Sequence, residues 1–182
     1  PVRLFKFAVK AKKFTRLTDN ADRIQTFALS PDGAKAVTIH DRSLRFVYDQ
    51  KIKPVVFLYD LAAGERKQIF ADKKFNIGQL RWARDGRGFY ATSEFSSHPE
   101  YANATVTHLY YYDLPSGRAS QVNLDWENGL ATGIEVTDRG FVALLAAGAR
   151  NKVARYSREG DAWRREWVAG NHAQNIFGVQ VG

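Results

Sequence analysis

Apolar and polar residues alternate along most of this chain in short runs, and turn residues interrupt them. The runs are 23–29, 35–40, 55–61 and 66–70, then 77–83, 88–95, 108–114 and 119–124, then 131–136, 141–147, 152–157 and 163–168. Runs of this length, rich in Val, Ile, Phe and Tyr, predict β-strands. No stretch carries the 3.6-residue apolar period of a helix. Asp-Gly, Ala-Gly and Ser-Gly pairs between the runs supply residues that tolerate positive φ in tight hairpins.

The strands repeat as a set. ALSPDG at 28–33 recurs as RWARDG at 81–86 and as EVTDRG at 135–140. FLYDLAAG at 57–64 recurs as YYYDLPSG at 110–117, with a weaker copy, YSREG, at 156–160. Gly33, Gly86 and Gly140 are expected to turn the chain between the first and second strands of each repeat. Asp60 and Asp113 are expected to tie down the turn after the third. Four antiparallel strands recurring every 45–55 residues or so form the pattern of a β-propeller blade. The predicted blades are 23–71, 75–124 and 129–169. The ends are out of phase. FKFAVKAKKFTRL at 5–17 lies over FLYDLAAGERKQI at 57–69, which makes 1–18 a half blade, and 175–182 matches the first strand of a next blade. The expected fold is therefore all-β: a propeller fragment of about three complete four-stranded antiparallel blades with partial blades at both ends. Roughly four to eight blades close a ring, so the segment is expected to be an arc of a larger propeller.

Composition changes this picture little. Hydrophobic residues make up 45% and charged residues 25%, as in ordinary globular domains. The absence of cysteine excludes disulfides and thiolate metal sites. No apolar run approaches the roughly 18 residues of a membrane span, and any targeting signal would lie outside the segment. A chain that begins at Pro1 and contains no methionine is expected to be processed or cut from something longer. The net charge of +8 is spread over many runs. Its densest groups, 10–13 and 164–165, sit among alternating apolar residues and read as solvated strand faces. No nucleic-acid footprint is expected, because that needs a clustered basic stripe.

No catalytic constellation is written in the residues. The G-x-S-x-G elbow, the phosphate loop, the dinucleotide fingerprint and the HExxH zinc motif are all missing. No cofactor or metal is expected. His40 and His108 fall within or beside strands and read as core or face residues. The longest connections join second to third strands: 41–54 in the first repeat, and SEFSSHPEYANATVTH at 93–108 in the second. Both emerge on one face of a propeller. Their charged and aromatic residues Arg42, Arg45, His98, Glu100 and Tyr101 are the candidates for substrate access or domain contact. The same residues also read as solvated hairpin tips. A site in a central channel would need paired carboxylates or histidines, whereas the first strands offer Gln25, Gln79 and Gln174, with Gly133 or Ile134 in the third repeat.

LSPDG, then YDL-x-x-G, then a basic residue and an apolar one resembles the blades of prolyl-oligopeptidase-family serine peptidases. The stretches 14–39, 55–69 and 97–122 carry this likeness, and RLTDNADRI resembles the crossing from a fourth to a first strand in those peptidases. The third repeat departs from it, with TDRG for SPDG and YSREG for YDLxxG. The resemblance implies a non-catalytic propeller that gates access of short peptides to an α/β-hydrolase domain of the same chain. The catalytic Ser, Asp and His would lie outside these residues. The Tol-Pal translocation propeller shares the SPDG-type turn and implies the alternative, a protein-binding scaffold with no enzymatic domain.

An open arc exposes the apolar faces on which its missing neighbours would pack. Expressed alone, the segment is expected to associate or to fold only marginally. A monodisperse monomer in size-exclusion chromatography, with a sharp thermal transition, would contradict this.

Overall fold

The computed structural model describes residues 1–41, 52–72, 74–98, 100, 104–160, 162–168 and 180. They hold 14 β-strands, and no α-helix is present among the described residues. No helix among them is long and apolar enough to cross a membrane. Two compact units divide the chain, Pro1–Lys73 and Lys74–Gly182.

The first unit opens with a two-stranded hairpin, β1 (Phe5–Ala8) and β2 (Lys13–Arg16). A four-stranded antiparallel meander follows: β3 (Arg23–Leu29), β4 (Lys35–Asp41), β5 (Val55–Asp60) and β6 (Glu65–Ile69). Strand β4 is paired on both edges, so Ala36 lies opposite Leu29 on one side and Tyr59 on the other. Leu4, Ile24, Ala36, Phe57 and Tyr59 form a core against one face of this sheet, and Leu17 packs on it. Leu4 and Leu17 flank the hairpin, so their burial, about 1.5–3 kcal/mol for a fully buried leucine, fastens the hairpin to the meander.

The second unit holds two such meanders. One is β7 (Ile77–Trp82), β8 (Gly88–Phe95), β9 (Val106–Asp113) and β10 (Arg118–Gln121). The other is β11 (Leu130–Thr137), β12 (Gly140–Ala147), β13 (Arg150–Glu159) and β14 (Ala162–Trp167). A single pairing, Leu130 with Thr107, joins the two. Aromatic side chains fill the space between them. The Tyr90 ring meets Phe141 edge-on at 5.3 Å, and Phe141 stacks on Tyr156 at 4.9 Å. The Tyr156 hydroxyl is paired as well, donating to the Leu124 carbonyl at 2.7 Å. Buried aromatic pairs of this kind add about 0.5–1.5 kcal/mol beyond their area.

The strands fall within three residues of where the alternation places them, and one departure is instructive. Strand β13 runs two residues further than expected at each end. At its far end the ladder continues through Arg158–Trp163 and Glu159–Ala162. The corresponding hairpins of the other two meanders stop at Asp60 and Asp113. Asp60 accepts hydrogen bonds from the Ala62 and Ala63 amides, and Asp113 from the Ser116 amide, which close the turn there. Ser157 stands at that ladder position in the third meander, pairing with Gly140 as Asp113 pairs with Gly88.

Gly140 does not match Gly33 and Gly86, contrary to the sequence alignment. Gly33 and Gly86 sit in four-residue turns with φ of 69° and 68°, donating to Ser30 and Ala83 carbonyls respectively. Thr137 pairs directly with Gly140, so only Asp138 and Arg139 form the third turn. Gly140 therefore occupies the ladder position of Gly88. Both lack a side chain for want of space: a Cβ would lie 2.0 Å from the Tyr156 carbonyl oxygen at Gly140, and 2.3 Å from that of Tyr112 at Gly88. At Gly33 nothing lies within 4 Å, and only the positive φ disfavours a side chain. Gly140→Ala should then cost about 2–4 kcal/mol, and Gly33→Ala about 1 kcal/mol. Equilibrium urea unfolding measures both, and the reverse order would refute the assignment.

Candidate functional site

Of the five loop residues singled out in the sequence, Arg42, Arg45 and Tyr101 lie outside the described residues, as does most of 175–182. His98 and Glu100 are exposed, beyond the end of β8. The Ser96 hydroxyl donates to the His98 carbonyl at 3.0 Å and accepts from the His98 amide at 3.3 Å. The Glu100 amide donates to His98 Nδ1, also at 3.3 Å. The imidazole is thus part of the turn's own bonding. Below it, Phe95 and His108 stack at 5.3 Å across β8 and β9 and stiffen the base of the projection.

Inside the first unit, a carboxylate, an imidazole and a hydroxyl line up. His40 Nδ1 donates to Asp22 Oδ1 at 2.7 Å, and His40 Nε2 lies 2.8 Å from Thr38 Oγ1. This is the residue order of an acyl-transfer triad. Its surroundings rule that chemistry out. His40 and Thr38 are 0% exposed, the ring is wedged edge-on against Phe57 at 4.9 Å, and the Thr38 hydroxyl also reaches the Phe57 carbonyl. No substrate carbonyl has access to Thr38. The chain instead fastens the β2–β3 connection, which carries Asp22, to the central strand β4. Asn20 adds to the tie, its amide donating to the Val2 and Asp22 carbonyls. Burial pushes the Asp22 carboxyl up, but the hydrogen bond and charge of His40 outweigh it and hold the group below the usual aspartate range.

The second unit carries a polar cleft of about 660 Å³ at the end where its short hairpins turn. Arg84, from the turn after β7, pairs with Asp138, from the turn after β11, at 3.0 Å. Arg158 lies 5.2 Å from the centre of the Tyr111 ring and donates to the Gly160 carbonyl. The Tyr90 and Tyr111 phenols line the same space. Burial pushes both up, helped by the negative charge of Asp85, so both stay neutral at neutral pH. The cleft offers hydrogen-bond donors and paired charges, without a nucleophile beside a base. Its residues come from turns and strands that are separate in sequence, and only their juxtaposition distinguishes them. Elsewhere in this unit Gln79 of β7 lies against Gly133 of β11, where a Cβ would be 2.0 Å from its side-chain oxygen. The glutamine of one repeat occupies the space that the glycine of the next leaves open.

No protein-family model matches the chain, and no curated protein matches it. Solved structures do. TolB from Acinetobacter baumannii superimposes with a TM-score of 0.57 at 20% identity, over 85% of this chain and 34% of that one. A prolyl endopeptidase gives 0.58 at 18% identity, over 88% of this chain and 25% of that one. The β-propeller domain of the trilobed protease from Pyrococcus furiosus gives 0.52 at 14% identity, over 85% and 45%. The fold is that of β-propeller blades. The chain spans a quarter to just under half the length of these neighbours.

The Asp22–His40 pair generates a stability prediction. His40→Phe keeps the ring volume but removes the hydrogen bond and charge that hold Asp22, and should cost about 1–3 kcal/mol. The folded carboxyl titrates below its unfolded value, so its contribution is present above the ordinary aspartate range and is lost as pH falls through the folded value. Asp22→Asn should therefore flatten the acid limb of stability against pH. An unchanged acid limb in urea midpoints measured across that range would show that the pair contributes nothing.

Proposed function

We propose that this chain is the non-catalytic propeller portion of a prolyl-oligopeptidase-like serine peptidase, gating access of short peptides to an α/β-hydrolase domain outside residues 1–182. One observation carries the reading: the chain's Asp–His–hydroxyl alignment is sealed in the core, with His40 and Thr38 0% exposed. Peptide hydrolysis in the parent protein would then need its nucleophile elsewhere. The likeness to a prolyl endopeptidase and to the propeller of a protease supports it. His98 and Glu100, with Arg42, Arg45 and Tyr101, are proposed as the residues that meet the peptide or the hydrolase domain. The SPDG-type turn and the likeness to TolB favour a second reading, a protein-binding scaffold with no enzymatic domain.

The two readings separate on the parent protein. Under the first, a fluorophosphonate probe labels a serine outside 1–182 and short peptides are cleaved. His98→Ala and Glu100→Ala then lower kcat/KM for peptides by about tenfold without changing it for a small activated ester. Absence of both labelling and cleavage would overturn the peptidase reading in favour of the scaffold. Equal effects on peptide and ester would remove the loop from substrate access.

A further inference from the structure

We propose that the cleft between the second and third meanders is a binding site for a carboxylate, held by the Arg158 guanidinium and the phenols of Tyr90 and Tyr111. The carboxylate belongs to a small organic acid or ends a peptide chain. The proposal does not rest on the peptidase reading.

The three meanders repeat one another, and the cleft lies where two of them depart from the repeat. The Arg158 amide donates to the Arg139 carbonyl as the Leu61 amide donates to Ala34 and the Leu114 amide to Arg87. A leucine thus stands at this position in the first two meanders and an arginine in the third. Tyr90 and its ladder partner Tyr111 answer to Val37 and Leu58 in the first meander, and to Val142 and Arg155 in the third. The second meander therefore turns two phenols toward the side on which the third presents Arg158.

Packing does not account for these choices. The Tyr90 ring meets Phe141 and Trp163 at 5.3 and 6.0 Å, contacts that a phenylalanine would make equally well. Tyr90 is 4% exposed, and its hydroxyl has no hydrogen-bond partner among the described residues. An unpaired hydroxyl at that depth is costly, and an acceptor entering the cleft offsets the cost. The Tyr111 phenol is seated where Gly88 lacks a side chain, since a Cβ there would lie 2.6 Å from its oxygen. Arg158 hydrogen-bonds that phenol. Arginine only donates, so the phenol keeps its own proton for a guest. Arg158 joins no ion pair among the described residues, whereas Arg84 at the rim is neutralised by Asp138.

The donor set selects the ligand. A guanidinium offers one positive charge and a planar fork that matches the two oxygens of a carboxylate. Two neutral phenols add donors without adding charge. The charge of Arg158 outweighs that of Asp85 at Tyr90, and the order reverses at Tyr111, so the anion belongs on the Tyr90 side. Four arginines line the cleft and four carboxylates match them, which gives a phosphate dianion or a polyanion no net attraction. The volume of about 660 Å³ admits a group of a few residues beyond the carboxylate.

The test uses the full-length protein and four probes in calorimetric titration: acetyl-Ala-Ala-Leu with a free C-terminal carboxylate, the same tripeptide as its amide, acetate, and inorganic phosphate. The tripeptide acid should bind about tenfold more tightly than its amide or phosphate. Tyr90→Phe keeps the ring packing and should weaken the acid about fivefold with Tm unchanged. Arg158→Leu restores the residue of the other two meanders, so the protein should stay folded and lose binding. Asp85→Asn should tighten the acid and narrow its advantage over phosphate. Acetate binding as tightly as the tripeptide acid would make a small acid the ligand, and a preference for the tripeptide acid would make it a chain end. Equal binding of acid and amide, tighter binding of phosphate, unchanged affinity in Tyr90→Phe, or no binding of either carboxylate at millimolar concentration would overturn the proposal.

Discussion

A strand paired along both edges and covered on both faces has no water within reach, and β4, β8 and β12 are in that position through most of their length. Every residue there must be apolar, be small enough to let a neighbour approach, or have its polar atoms satisfied on the spot. Strand β12, GFVALLAA, meets the demand with apolar and small residues alone. Strand β4, KAVTIHD, places Thr38 and His40 inside. Two polar side chains at that depth require partners, and Asp22 and the Phe57 carbonyl provide them. The Asp–His–Thr alignment is thus a consequence of burial. Resemblance to a catalytic triad follows from the few ways a buried imidazole can satisfy both its nitrogens.

The same demand explains what could be read in advance. Strand positions were legible because a half-buried strand must alternate, and because Asp-Gly turns leave a mark that needs no tertiary context. The identity of Gly140 was not legible. Glycine is selected for positive φ at Gly33 and for space at Gly140, and the two requirements look alike in a sequence. Asp22 was hidden for another reason: it lies in a loop 18 residues before the histidine it holds. The cleft beneath Arg84 and Asp138 was hidden because turns and strands of two different meanders assemble it. Of the loop candidates, His98 was legible as a polar residue on a long connection. Its part in the turn, with Nδ1 accepting from the Glu100 amide, depends on a backbone conformation that composition does not reveal.

Function sits loosely on this framework. TolB, a prolyl endopeptidase and the propeller domain of the trilobed protease share the blade architecture with this chain at 14–20% identity. Such breadth is expected where the repeat itself supplies stability and the loops and edges supply recognition. The interior pairs its polar groups with one another, as in Asp22–His40, so the surfaces left for recognition are the turns, the long connections and unpaired strand edges.

The shortened turn at Asp138–Arg139 bears on how such a chain changes over evolutionary time. The first two hairpins span four residues between paired strands, and this one spans two. Removing two residues keeps every side chain of the following strand on its original face. Removing one would send Phe141, Ala143 and Leu145 to the side now held by Val142 and Leu144, and the cores on both sides of β12 would be lost together. A one-residue change escapes that flip only where a bulge restores the register, as between Ile24 and Thr26 in the β3–β4 ladder, so single-residue changes at these turns should carry a bulge with them.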